Sequence, residues 1–196
     1  MCGRYYIDEE TTNDVRRDFP KLDSRLPTGG FHGDVYPSDT APVILSAENR
    51  LCLMTHRWGY PKTGGTGLVI NARAESVEDR RMFRNGFRYR RIVIPAGHFY
   101  EWNQNKEKYT CRREEKTLLY LAGIADLFEE EDRFVILTTQ ANASMERIHD
   151  RMPLILEPDQ VESWMRSETK AHAILRQTPV QLMCTAEYEQ LSLFDL

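Results

Sequence analysis

No stretch of this sequence approaches the ~18 consecutive apolar residues that span a bilayer, which excludes a helical membrane anchor. The first residues, Met1-Cys2-Gly3-Arg4-Tyr5-Tyr6-Ile7, lack the apolar core of an export signal, so a cytoplasmic protein with no targeting signal is expected. No CxxC pair occurs. The four cysteines, Cys2, Cys52, Cys111 and Cys184, stand 50, 59 and 73 residues apart, which removes the usual zinc and dithiol sites. A chain of this size without an export signal is a poor host for a disulfide framework. Cys52, Cys111 and Cys184 are therefore expected as buried small hydrophobes, and neither a metal nor a cofactor is expected. Internal repeats and low-complexity tracts are also missing. So is any excess of basic residues: 26 Lys and Arg against 30 Asp and Glu leave a formal charge of −4. That excludes a uniformly basic coat, though not a local basic patch.

What is present is an ordinary globular composition, 41% hydrophobic and 29% charged over 196 residues, enough for one substantial core. Short runs rich in Val, Ile, Leu and Tyr between turn residues predict strands at Pro42 to Ala47, Leu51 to His56, Leu68 to Asn71 and Arg91 to Ile94. Others follow at His98 to Trp102, Leu118 to Ile124, Arg133 to Thr139 and Val180 to Cys184. Helical patterns are fewer: Asp8 to Phe19, Val77 to Phe87, and Pro158 to Arg166 with proline in its first turn. Pro20 to Thr40 and Pro61 to Gly67 read as loops. The expected fold is α+β, a curled and largely antiparallel β-sheet or barrel with a few flanking helices.

Charge is uneven along the chain. Residues 71–117 hold twelve Lys and Arg against seven Asp and Glu, a local +5 that leaves −9 elsewhere. Arg80, Arg81, Arg84, Arg88, Arg90 and Arg91 follow one another with no acid between them. Arg80, Arg84 and Arg88 are spaced to share a helix face, either a solvated one or a surface for phosphates.

Cys2 directly follows the initiator methionine. Removal of Met1 would expose an α-amine beside a thiol, a 1,2-aminothiol that condenses with an aldehyde and closes a five-membered thiazolidine. The amine titrates near ~8 and the thiol near ~8.5, so modest tuning makes either nucleophilic at neutral pH. Further on, Leu68 to Glu75 runs from an apolar strand into polar residues. If it stays extended, Asn71, Arg73 and Glu75 share a side and suit an anionic or sugar-like ligand, with a salt bridge the better reading for Glu75. In His98-Phe99-Tyr100-Glu101-Trp102, alternation puts Phe99 and Glu101 on one face and Tyr100 and Trp102 on the other. A carboxylate among aromatics loses solvation, which raises its pKa and suits proton transfer. The run Ile148-His149-Asp150-Arg151-Met152-Pro153 presents an imidazole between charged neighbours at a helix exit.

Taken together, Met-Cys-Gly-Arg, Asn71 to Glu75, Pro95 to Trp102 and Ile148 to Pro153 resemble the signature blocks of the SOS response-associated peptidase (SRAP) family, in its order and over nearly the whole chain. Pro37-Ser38, Ala41-Pro42-Val43 and Trp58-Gly59 fit as well. The resemblance implies a single SRAP domain over residues 1–187, with a groove for single-stranded DNA. It implies covalent capture of abasic sites in DNA damage repair, shielding them during replication. Cys2 would be the nucleophile, and Asn71 would position its amine or the opened sugar. Glu101 would be the acid/base, and His149 a donor to the sugar hydroxyl. Arg4 and Arg73 would bind flanking phosphates, joined by Arg80 and Arg84 if the arginine run faces DNA. Trp58 either stacks on a base or packs in the core. The family name also implies autoproteolytic removal of Met1; a lyase activity is left open. Capture of a free aldehyde fits the aminothiol, and it fits a protein that is not basic throughout, since affinity then no longer rests on counterion release.

Two features depart from the family pattern. Gly97-His98 replaces the usual Asp-Gly before Glu101, and the loop after Trp58 is short. The tail, residues 188–196, carries Gln190-Leu191-Ser192-Leu193-Phe194, which resembles the peptide by which bacterial proteins bind the polymerase sliding clamp. Leu193 and Phe194 would fill an apolar pocket and Gln190 would hydrogen-bond beside it. Such partners would place the protein at the nucleoid. Two other classes compete with capture: a thiol peptidase or amidase using Cys2 with His149 and Glu101, and a single-strand binder that relies on the arginine run.

Overall fold

The computed structural model describes residues 2–26, 31, 33–114 and 117–187. The chain begins with β1 (Arg4–Ile7), α1 (Glu9–Asp18), β2 (Asp23–Ser24), β3 (Gly33–Val35), β4 (Thr40–Ala47) and β5 (Arg50–Trp58). There follow β6 (Tyr60–Pro61), β7 (Leu68–Val69), β8 (Asn71–Arg73), a 3-10 turn (Ala74–Ser76), α2 (Arg81–Tyr89), β9 (Arg91–Ala96) and β10 (His98–Trp102). The remainder is β11 (Lys108–Arg112), β12 (Leu119–Phe128), β13 (Glu131–Gln140), β14 (Arg151–Pro153), β15 (Ile155–Leu156), α3 (Gln160–Arg166), α4 (Glu168–Ile174) and β16 (Met183–Ala186).

Local chemistry sets the boundaries that the sequence made legible. Asp8 caps α1: its carboxylate accepts the Thr11 N–H at 2.8 Å while the Thr11 hydroxyl turns back toward the Asp8 N–H. Glu9 and Glu10 in the first turn and Arg16 and Arg17 in the last complement the helix dipole. α2 packs closely on β12 at Gly86, where a Cβ would stand 2.9 Å from the Ala125 carbonyl oxygen.

Strands β13, β12, β9, β4 and β5 form an antiparallel run, and β5 returns to pair in parallel with β13, so the ladder closes into a barrel. The α+β barrel expected from the sequence is the fold observed. Alternation along the barrel strands divides the core in two. Val93, Tyr120, Ile124 and Val135 join one cluster with Phe83 and Phe87 of α2 and Trp164 of α3. Ile92, Ile94, Leu121 and Ile136 join the other, with Cys2, Tyr5 and Phe99. Those last three belong to the segment before β1 and to a five-stranded antiparallel sheet in the order β16-β11-β10-β1-β3. The chain passes from barrel to sheet at Gly97, whose N–H donates to the Tyr6 carbonyl at 2.9 Å. This junction carries β10, and with it Glu101, alongside β1.

Several elements depart from the sequence reading. β1, β11 and α4 were not expected, and short strands β2 and β3 interrupt the Pro20 to Thr40 loop. Cys111 and Cys184 are not separate buried thiols: they face each other across β11 and β16 and form a disulfide. Antiparallel register brought them together across 73 residues, a relation that spacing alone conceals. Cys52 is a buried free thiol as read. No helix among the described residues is long and apolar enough to cross a membrane. The tail, with Gln190, Leu193 and Phe194, lies outside the described residues.

Candidate active site

Cys2 lies just ahead of β1, is 0% exposed, and is held through its backbone. The Asn71 side chain, on the first residue of β8, donates from Nδ2 to the Cys2 carbonyl oxygen at 2.9 Å. β8 is itself fixed by parallel pairing to β13, with Asn71 opposite Ile136. Burial first, and then the Glu101 carboxylate, push the Cys2 thiol up to about 12, so its sulfur is protonated at neutral pH.

Glu101 is 3% exposed on β10, and its Oε1 accepts the Trp102 N–H at 3.2 Å. Alternation divides this strand as the sequence predicts. Phe99 and Glu101 face the interior, whereas Tyr100 and Trp102 form a platform under Arg4. The Arg4 guanidinium lies over the rings of Tyr100, Trp102 and Tyr36 at 4.8, 5.3 and 5.1 Å. Its Nη1 donates to Asp34 at 2.9 Å and to the Tyr36 hydroxyl at 3.1 Å. The Tyr100 hydroxyl donates to the other Asp34 oxygen at 2.8 Å, so at 2.9 Å His98 must donate its Nε2–H to Tyr100. His98, the departure from the family block, also stacks on Tyr6 at 4.7 Å.

His149 follows a turn after Met145. Its Nδ1 accepts the Arg151 backbone N–H at 2.9 Å, and Asp150 Oδ1 stands 2.8 Å from the same nitrogen. The ring is thus oriented at Nδ1 by a backbone donor and a neighbouring carboxylate. His149 and Trp102 line one groove of about 790 Å³; Arg4, Trp102 and Lys108 line a second of about 590 Å³. Trp102 and Asn105 belong to both, so the two depressions adjoin along this ridge. Arg151 grips the Glu75 carboxylate at 2.5 and 2.9 Å, which holds that carboxyl below its usual range, and also reaches the Thr138 carbonyl oxygen at 2.6 Å.

The sequence profile of the family described as SOS response associated peptidase (SRAP) matches residues 1–192. The chain belongs to the SRAP family. It is 33% identical over 181 residues to the abasic site processing protein YoqW of Bacillus subtilis, covering 84% of this chain and 80% of the relative. It is 30% identical over 183 residues to the abasic site processing protein YedK of Escherichia coli, covering 86% and 81%. The fold matches a crystal structure of a protein from Bordetella bronchiseptica with a TM-score of 0.80 at 20% identity, over 95% of this chain and all of that one.

Not every residue singled out in the sequence converges on the Cys2 cluster. Asn71, Glu101 and the Arg4 backbone adjoin Cys2; Arg73 is exposed two residues beyond Asn71; His149 lines the groove that adjoins, at Trp102, the one lined by Arg4. Trp58 does not present a face to a base. It is 0% exposed, parallel to Phe134, and donates its Nε1–H to the Ile70 carbonyl at 3.0 Å, because β5 turns its last residue into the core. Gly59 follows it with φ +107°, a turn that suits glycine. Arg80 stands at the N-cap of α2 and Arg84 lies within that helix, which packs on the cluster that does not contain Cys2. Arg84 is engaged with the carbonyl oxygens of Glu78 and Asp79. Glu75 leaves the extended path in the 3-10 turn, which takes it to Arg151. Sequence reasoning passed over Tyr5, Asp34 and Tyr36. For Tyr5 the signal was available: it stands three residues after Cys2 in an alternating segment. Asp34 and Tyr36 sat inside what read as a loop.

Proposed function

We propose that this SRAP chain binds single-stranded DNA and captures abasic sites covalently through Cys2. The observation that carries the reading is the juxtaposition of Cys2, anchored by Asn71, with the buried Glu101 carboxylate. Hydrolytic removal of Met1 frees the Cys2 amine. That amine adds to the aldehyde carbon of the ring-opened sugar, and the carbinolamine loses water to give an iminium. The Cys2 sulfur then adds to the same carbon, the C=N electron pair moves to nitrogen, and the thiol proton passes to Glu101. His149 donates to the sugar oxygen as the ring opens. Arg4, held flat by three rings, and the exposed Arg73 take flanking phosphates.

A protonated, buried thiol suits this order of events, in which the amine attacks first. A thiol peptidase requires a thiolate stabilised beside an imidazolium, and burial with Glu101 acts against it. Intact-mass measurement after incubation with an abasic oligonucleotide tests the proposal. A conjugate is expected for the processed chain, and none for Cys2→Ala or for a chain retaining Met1. Peptide turnover without conjugate would support the peptidase instead. The tail would deliver the protein to the clamp at the nucleoid through Gln190, Leu193 and Phe194. Tail-peptide binding undiminished by Leu193→Ala with Phe194→Ala would refute that part.

A further inference from the structure

Tyr5 has no role in the scheme above, yet its side chain enters the same interior as Cys2. β1 pairs Tyr5 with Phe99, so Tyr5 and Glu101 project from one face of the β1–β10 ladder, a diagonal step apart. The Tyr5 ring packs on Trp58 with centroids 5.2 Å apart. Phenylalanine would serve that packing equally well. The hydroxyl is what needs explanation: Tyr5 is 0% exposed, and its oxygen has no hydrogen-bond partner among the described residues. A buried hydroxyl left in that condition destabilises the fold. Asn71 Oδ1 is in the same condition, on the very side chain that holds the Cys2 carbonyl. Apart from burial itself, Cys2 is the foremost influence on the Tyr5 phenol, which stays protonated far above neutral pH.

We infer that Tyr5 is a further catalytic residue, whose O–H donates a hydrogen bond to the Cys2 sulfur in the ring-closing step. The inference rests on the capture reading proposed above. In that step the S–C bond forms, the C=N pair goes to nitrogen and the S–H proton goes to Glu101; no electrons are exchanged with any other reagent. As the proton departs, negative charge gathers on a sulfur that burial and a neighbouring carboxylate both disfavour. A neutral donor carried by β1 into the same interior offsets that charge as it develops. Glu101 then serves as proton acceptor without also having to tolerate a bare thiolate beside it.

The test is a time course with an abasic single-stranded oligonucleotide, using the processed full chain and its Tyr5→Phe variant. Samples quenched with borohydride separate the two stages by mass, because the imine is reduced and the thiazolidine is not. Tyr5→Phe is expected to form the imine at the wild-type rate and to convert it to the borohydride-resistant product tenfold or more slowly. Its melting temperature should equal or exceed that of the wild type, since an unsatisfied hydroxyl has been removed. Conversion at the wild-type rate overturns the inference and leaves capture intact. Equal slowing of both stages marks a packing effect and also overturns it. Absence of any conjugate with the wild type overturns both readings.

Discussion

The Asn71 Nδ2 hydrogen bond to the Cys2 carbonyl, 2.9 Å long, joins the start of the chain to a strand 69 residues later. It fixes the backbone of the residue whose nitrogen and sulfur both react in the proposed capture, and it does so from a strand locked against the barrel. Asn71→Ala should lose conjugate formation by about 10²-fold, in keeping with the cost of misplacing a reacting group by about an ångström. Non-covalent affinity for single-stranded DNA should change little, since Arg4 and Arg73 are untouched. Gel-shift affinity and conjugate kinetics measured on the same variant check both parts.

The Cys111–Cys184 disulfide closes a loop of 73 residues and ties β16 to β11, next to the strand that carries Glu101. Cross-links over loops of this size typically stabilise by about 2–4 kcal/mol. Thermal unfolding with and without reductant should show the difference, and Cys111→Ser should be insensitive to the reductant. Equal melting temperatures with and without reductant would remove the bond from the account of stability.

Much of this was legible in the sequence because local rules sufficed. The helical pattern from Asp8 to Phe19 matched α1, and strict alternation at Phe99 to Trp102 separated the interior Glu101 from the Arg4 platform. The resemblance supplied the family, which the match over residues 1–192 establishes. What escaped was set by long-range pairing. Cys111 and Cys184 meet only through strand register, and Asp34 reaches Arg4 only because β3 joins the edge of β1. Trp58 carried two readings until β5 was seen to close the barrel. Arg84 and Arg88 fall in α2 as read, with Arg80 at its extended cap, but nothing local to that helix reveals which side of the barrel it covers.

His98 couples the Arg4 assembly to pH. Burial, the largest influence, holds its pKa below 6.5. A histidine lowered in the folded state binds fewer protons there than in the unfolded chain, so stability rises with pH across that interval. The contribution is fully present above about 6.5 and is lost as pH falls from there toward the folded value. His98→Gln keeps a donor for Tyr100 and removes the titration. Its stability should vary less between pH 7.5 and 5.5 than that of the wild type, by denaturant titration at each pH. An identical pH dependence in both proteins would assign the effect to other groups.

One carboxylate, one phenol and three ring faces specify the geometry of the Arg4 side chain. Its planar guanidinium lies against those rings in a way that an ammonium cannot reproduce, so lysine is not a conservative replacement. Arg4→Lys should weaken binding to intact and abasic single strands alike, by roughly 5- to 10-fold at low salt. Arg4→Ala should also reduce the salt dependence of binding by about one phosphate contact, a change of roughly 0.7 in the slope of log affinity against log salt for a single strand. Conjugate formed at saturating DNA should persist in both variants, because Arg4 meets the Cys2 thiol only through its backbone carbonyl, which both retain. If saturating DNA leaves Arg4→Ala without conjugate, Arg4 takes part in the chemistry and its role as a phosphate contact is incomplete.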